Sequence, residues 1–319
     1  ASATRPLART IATGRPRMAI AQRPSPGEPP TPVDVVSNTL VSEGDNLVYA
    51  SGNVEITRPD LIAKGDSVFL DGQREFARLM RTPSVQSRKG RPFTLTGGVI
   101  ELYSRNRNLE RVVATPSGHV LSQDLELLAD SVDLRVTQNQ LNRVIAWGRK
   151  TRATALSPER RVVADSIDAL MPGQRLREVR AIGKAHANSI PDTSRIVSAE
   201  RDWMSGDSVF AEFDSIAPGD TTSRPQAKRI VATGDASSFY QLAPNNGVKG
   251  PPNINYVRGR IITVVFANKV VDNVDVVDQA TGVYLEPSAA GPNPARTGPQ
   301  ARPGTTPAVP PPAAPRRNP

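Results

Sequence analysis

The chain has 319 residues, 40 Lys and Arg against 31 Asp and Glu, and no cysteine. Its formal charge of +9 sits at the ends: residues 1–32 carry five Arg and one Glu, residues 288–319 carry four Arg and no acid, and the body is left with about +1. Such a body is not built to neutralise a phosphate backbone, so no nucleic-acid partner is expected. The absence of cysteine excludes a disulfide framework, a thiolate zinc site and a thiol nucleophile.

In chain order, residues 1–32 and 288–319 come first and last, and together they hold 17 of the 30 prolines. Segments this poor in large apolar residues cannot bury enough surface to offset their ordering entropy, so both read as disordered tails. Ala19-Ile20-Ala21 before Gln22 has the small-x-small look of a cleavage site, but no apolar stretch precedes it. No run of about 18 apolar residues is present to span a membrane as a helix. The body, 33–287, is repetitive. A Gly/Ala-Asp-Ser-Val/Ile mark occurs at Gly65–Val68, Ala129–Val132, Ala164–Ile167 and Gly206–Val209. A second mark, aliphatic-x-Ala-x-Gly/Pro, occurs at Val112–Pro116, Val144–Gly148, Val179–Gly183 and Ile230–Gly234. From Asp130 to Val144 is 14 residues, and the same 14 separate Asp165 from Val179. The interval grows to 23 from Asp207 to Ile230, where a Ser/Pro/Gly-rich stretch at 216–225 reads as a loop.

Periodicity identifies the elements. Val132, Leu134 and Val136 alternate with Ser131, Asp133 and Arg135, and Ile167, Ala169 and Met171 alternate with Ser166, Asp168 and Leu170. Ile262, Val264 and Phe266 repeat the pattern near the end. A period of two means strands with one buried face. Asp71-Gly72-Gln73, Gln138-Asn139-Gln140 and Pro172-Gly173-Gln174 supply tight turns between them. The fold class is therefore all-β, built from about six repeated antiparallel strand units with almost no helix. The Asp-Ser mark reads as a corner. Its carboxylate would accept backbone N–H groups two residues on, and the preceding Gly or Ala would leave room for a neighbouring backbone.

Aligned units stack their side chains in columns. One reads Val68, Ile100, Val132, Ile167, Val209 and Ile262; another reads Leu79, Val112, Val144, Val179, Ile230 and Val274. Leu102, Leu134, Val264 and Phe266 extend the same apolar wall. A filled core accounts for such columns. An open trough accounts for them too, and it better explains why aromatics are only 4% of the chain. A stack of helix-free units with a continuous apolar inside suits acyl chains.

Ala50-Ser51-Gly52-Asn53-Val54-Glu55-Ile56, followed by Ala63-Lys64-Gly65-Asp66-Ser67-Val68, resembles the repeat of the OstA-like (LptA) family. The later Ala-Asp-Ser units and Val-x-Ala-x-Gly returns are similar, as are Asn255–Gly259, Ile262–Phe266 and Thr281–Tyr284 at the end. The resemblance covers about 33–287. It implies a β-jellyroll, or β-taco, of two V-shaped antiparallel sheets whose groove carries the acyl chains of lipopolysaccharide across the periplasm. It also implies end-to-end stacking, with Lpt-type bridge proteins or with further copies of the chain, and a location in the periplasm associated with the outer membrane. The chain departs from the family in its length, in its Pro-rich tails and in lacking a large β-barrel. Bridge subunit, inner-membrane cap and detached amino-terminal domain all stay open. Strands near Val48–Ile56 and Ile262–Phe266 are expected to leave unpaired edges for a partner.

No enzyme constellation stands out. His119 and His186, the only histidines, lie 67 residues apart at different offsets in their units, which fits neither a triad nor a metal site. Asp71 with Glu75, or Glu212 with Asp214, could mimic a glycosidase pair, but no dense acid–base cluster surrounds them. No cofactor is expected. The leading reading is a non-enzymatic lipid carrier. A structural or adhesive β-solenoid with a filled core, and a polysaccharide-active β-helix enzyme, are the alternatives.

Overall fold

The computed structural model describes residues 8–20 and 33–287, apart from 45, 89–91, 107, 124, 139, 216–224, 245–246 and 268–269. The described residues form 24 strands and one short 3-10 turn, Pro172–Gln174, where the sequence places a turn. The strands are β1 (Arg9–Thr13), β2 (Arg17–Ile20), β3 (Val33–Val36), β4 (Thr39–Glu43), β5 (Leu47–Thr57), β6 (Leu61–Asp71), β7 (Phe76–Met80) and β8 (Ser84–Ser87). Next come β9 (Phe93–Thr96), β10 (Val99–Arg105), β11 (Asn108–Thr115), β12 (Gly118–Ser122), β13 (Glu126–Ala129), β14 (Ser131–Thr137), β15 (Gln140–Trp147) and β16 (Ala153–Leu156). The last are β17 (Arg160–Ala164), β18 (Ser166–Leu170), β19 (Glu178–Ser189), β20 (Asp202–Phe213), β21 (Ala227–Leu242), β22 (Asn253–Ala267), β23 (Val270–Val277) and β24 (Thr281–Leu285).

All the strand pairings are antiparallel, and they sort into two ladders joined along one side by corners. The first ladder runs β1, β4, β5, β6, β7, β10, β11, β14, β15, β18, β19, β20, β21, β22, β23. The second runs β2, β3, β5, β6, β8, β9, β12, β13, β16, β17, β19, β20, β21, β22, β24. The long strands β5, β6, β19, β20, β21 and β22 serve both ladders by bending at the corner. In four of their pairings the register shifts there, between Ser51 and Val54, Ile182 and Ala185, Ser205 and Ser208, and Thr233 and Ala236. Shorter strands turn the corner through a break, as β13 to β14 does at Asp130. The fold class is thus all-β and jellyroll-like, and one apolar cluster draws on the inward residues of both ladders.

Two kinds of corner alternate. One is a pair of residues in the left-handed region: Gly14-Arg15, Gly52-Asn53, Arg81-Thr82, Gly183-Lys184, Gly234-Asp235 and Asp278-Gln279. The other is the Gly/Ala-Asp mark, whose acid lies against the neighbouring rung. The Asp130 carboxylate accepts the N–H groups of Arg149, Lys150 and Thr151 at 2.7–2.9 Å. Asp165 and Asp207 lie over Gly183 and Gly234, where a Cβ would overlap the carboxylate. This corrects the expectation that each acid bonds within its own turn. The corner's own N–H groups are already used, as when Asp165 N–H donates to the Gly183 carbonyl at 3.1 Å, so the free acceptor serves the next rung. The steric part of the expectation holds. A Cβ on Gly65 would sit 3.2 Å from the Met80 carbonyl, and one on Gly206 would sit 2.8 Å from the Thr233 carbonyl.

Two further corrections concern the ends. Within 1–32, read as a disordered tail, Arg9–Thr13 and Arg17–Ile20 are strands that pair with β4 and β3. Ala12, Met18 and Ile20 are half-buried there, so a rung needs only a few apolar residues when a finished ladder offers backbone partners. Residues 1–7 and 21–32 and the tail 288–319 lie outside the described residues, as do residues 216–224 of the loop expected at 216–225. The strands expected to have open edges do not have them. β5 is paired by β3, β4 and β6, and β22 by β21, β23 and β24. The rungs with one neighbour are β1 and β2 at one end and β23 and β24 at the other.

Candidate functional site

The period of two places each inward residue opposite an inward residue of the next strand, so both ladders carry unbroken rows. Beside the corner in the first ladder the row reads Leu40, Ala50, Val68, Leu79, Ile100, Ala114, Val132, Ala146, Ile167, Ala181, Val209, Ala232, Ile262. Every member is buried, at 0–7% exposure. From Ile100 onward, branched residues and alanine strictly alternate, which gives each branched side chain a recess to fill. The structure therefore brings six of the candidate groove residues, Val68, Ile100, Val132, Ile167, Val209 and Ile262, into one row. It moves Leu79 into that row from the second column, because the β6–β7 hairpin is shorter and opposes Leu79 to Val68.

The second row lies one step nearer the open side. It contains Leu102, Val112, Leu134, Val144, Val179, Ile230 and Val264, together with Leu70, Ala77, Ala169, Ala211 and Val274. Phe266 stands farther out, opposite Val271 beyond a bulge, and is half-buried. Leu102, Val112, Leu134, Val144 and Val264 are buried, whereas Val179, Ile230 and Val274 are half-buried.

The facing wall was not legible in the sequence. In the second ladder the matching row is Val35, Ile56, Ala63, Val85, Leu95, Val120, Leu127, Ala155, Val162, Ala187, Met204, Ser238, Val257. Many of its strands are four or five residues long, as in Ser84–Ser87 and Phe93–Thr96, so each shows only one or two inward residues. A third row at the corner itself is mostly small: Gly118 opposes Ala129, Ala153 opposes Ala164, and Ala185 opposes Gly206, with Val54 opposite Gly65 as the larger member. These small residues let the ladders converge there.

Most of the ion pairs and ring contacts lie on the outward faces. Arg78 donates to Glu101 at 2.6 Å, Arg111 and Arg135 each meet Asp133 at 2.9 Å, and Arg143 pairs with Asp168. Tyr49, Phe69, Phe76 and Tyr103 form a chain of ring contacts 5.1–6.3 Å apart. Trp203 contacts Phe239, Tyr256 and His186 on the second ladder. His119 meets Glu126 at 3.0 Å and His186 meets Ser205 at 2.8 Å, both on outward positions. Burial, with help from Arg161, pushes the His186 imidazole down from its ordinary pKa. Asp71 is used by its own turn, accepting from the Gln73 and Arg74 backbone, and Glu212 is held by Arg229 and Lys228. Among the described residues no group of three His, Asp or Glu could hold a metal ion, and no helix is long and apolar enough to cross a membrane.

Asp202 is a buried carboxylate that forms no ion pair among the described residues. Burial pushes its pKa up to about 6, against the hydrogen bonds it accepts from the Gln241 backbone and side chain at 2.9 and 3.2 Å. Tyr240 beside it is pushed up to about 12 by burial and by the nearby acids Asp202 and Asp192.

No protein-family model matches the chain. No curated protein matches it either. Among solved structures, LptH from Pseudomonas aeruginosa, described as the LptA-homologous periplasmic component of the conserved lipopolysaccharide transport device, aligns at 14% identity and a TM-score of 0.30, over 35% of this chain and 83% of its own.

Proposed function

We propose that the chain is a non-enzymatic carrier of lipid acyl chains, with lipopolysaccharide as its cargo and the periplasm as its place of work. The observation that supports this most is the pair of facing rows, which run along both ladders without an aromatic residue and are aliphatic but for Met204 and Ser238. Hydrocarbon transferred into such an interior gains about 0.8 kcal/mol per CH₂, enough to hold several chains without chemistry. Aliphatic walls also hold chains of differing length, since each contact is weak and non-directional. The charged head group stays outside, where the cations lie. The single-neighbour rungs β1, β2, β23 and β24 are the edges through which an Lpt-type partner or another copy of the chain would add its strands.

The test is mass spectrometry of the purified chain after gentle extraction. Co-purifying lipid A supports the carrier. Chain recovered free of lipid, together with no uptake of added lipopolysaccharide, rejects it. One observation favours a second reading: the first row is sealed along its whole length, as in a filled β-structural scaffold. A lipid-free result would select that scaffold.

A further inference from the structure

The two facing rows are not equally closed along the ladders. From β9 and β10 to β13 and β14, Leu95, Val120 and Leu127 face Leu102, Val112 and Leu134, and all six are buried. Beyond β13 and β14 both walls change. Ala155, Val162 and Ala187 of the second ladder are half-buried, and so are Ala169, Val179 and Ala211 of the first. The two changes coincide on two rungs, Val162 with Ala169 and Ala187 with Val179, between buried Val144 on one side and buried Met204 on the other, while the corner row beneath (Ile167, Ala181, Val209) stays sealed. Farther toward the amino terminus only one wall loosens. Leu70 and Ala77 are half-buried there, but Ala63 and Val85 opposite them are buried.

The rim of this stretch carries cations. Arg160, at the start of β17, and Arg177, just before β19, both have the inward parity of Val162 and Val179. Both are exposed, and neither forms an ion pair among the described residues; Arg177 donates only to the Ser215 hydroxyl, at 3.2 Å. Of the nearby acids, Glu178 pairs with Arg180 and Glu212 with Arg229 and Lys228, while Glu159 and Asp214 form no ion pair among the described residues.

We propose that the cargo-holding part of the interior is a window from β17 to β19, which takes a hydrocarbon chain between the two walls and its anionic head group at Arg160 and Arg177. The segment from β9 to β15 is then a filled spacer. The window is two rungs wide, roughly 10 Å. Side-chain size explains the difference. Leu against Leu closes the gap in the spacer, whereas Ala against Val leaves it open to a guest. The inference rests on the carrier reading and assigns its site.

Spin-labelled stearate is a suitable probe, with purified full-length chain and binding read by immobilisation of the label. Ala169→Leu with Ala187→Leu fills the window and is expected to weaken binding at least about tenfold, with the β spectrum and melting temperature maintained. Arg160→Glu with Arg177→Glu leaves the interior untouched. It is expected to weaken stearate roughly three- to tenfold and to leave the methyl ester unchanged. If the unmodified chain binds stearate and the filled variant, or the charge-reversed variant, binds it equally well, the window is wrong and the carrier reading stands. If the unmodified chain binds neither stearate nor lipopolysaccharide, both fall together.

Discussion

At the scale of the residue, burial decides what a substitution does. Val132 is fully buried between Ala114 and Ala146, so the apolar wall is closed there. Val132→Asp would leave an unpaired charge with no route to water, and it is expected to destabilise by about 3–5 kcal/mol. Val179→Asp sits in the half-buried stretch and should leave the protein folded; urea titration of the two variants side by side checks the contrast. Asp202 carries a pH signature. Its folded pKa of about 6 lies above the ordinary carboxylate value of 3.8, so the folded chain holds a proton that the unfolded chain has released. The contribution of this group to stability is therefore greatest below about pH 4 and declines as pH rises to about 6, by at most roughly 3 kcal/mol. Asp202→Asn keeps the acceptor for Gln241 and should remove that decline, as thermal melts between pH 4 and 7.5 would reveal. Asp130 behaves in the opposite sense. The N–H groups of Lys150, Thr151 and Arg149 hold its carboxyl below the usual range, so its contribution is present at neutral pH and lost on acidification through its folded pKa.

At the scale of the element, the corner is the unit that makes two ladders from one chain. Gly183 and Gly234 have φ of 83° and 73°, and each lies under the carboxylate of the preceding corner. Gly183→Ala or Gly234→Ala combines left-handed strain with steric overlap and is expected to cost about 2–3 kcal/mol. Gly173→Ala is the control. Its φ is 61°, but a Cβ there would come no closer than 3.8 Å to its nearest neighbour, so it should cost about 1 kcal/mol. Chemical denaturation of the three variants measures the difference. The two repeated marks were plain in the sequence because each corner constrains identity. The small residue is forced by the converging rows, and the acid lies against the next rung. That the acid reaches across to a neighbour was not legible, since its partners lie about 20 residues away in Arg149, Lys150 and Thr151.

At the scale of the whole molecule, antiparallel rungs that contact only their neighbours make stability close to a sum of local terms. Removing residues 1–32 takes away β1 and β2 but leaves β3 and β4 paired with β5. Such a truncated chain is expected to keep its β circular dichroism spectrum and to melt only a few degrees lower, about 2–4 °C per kcal/mol lost for a chain of this size. Collapse of the spectrum would show that the first rungs are integral to the fold. The same additivity makes the ends the natural sites of association, because each terminal rung exposes backbone groups that the interior rungs have already paired.

The sequence by itself determined the strand period, the corners and the inward columns of the longer strands, because a two-residue alternation and a steric demand for Gly or Ala are written in local residue types. Val132, Leu134, Ile167 and Ile262 were placed on this basis. Only the tertiary structure decided which residues face them. The wall of Leu95, Val120 and Leu127 comes from strands too short to show a period, and it is selected by hydrogen-bond register across the ladder. The tertiary structure also decided that the interior is sealed at Leu134 and half-open at Val179. That depends on the summed size of side chains from two sheets, which no single strand records.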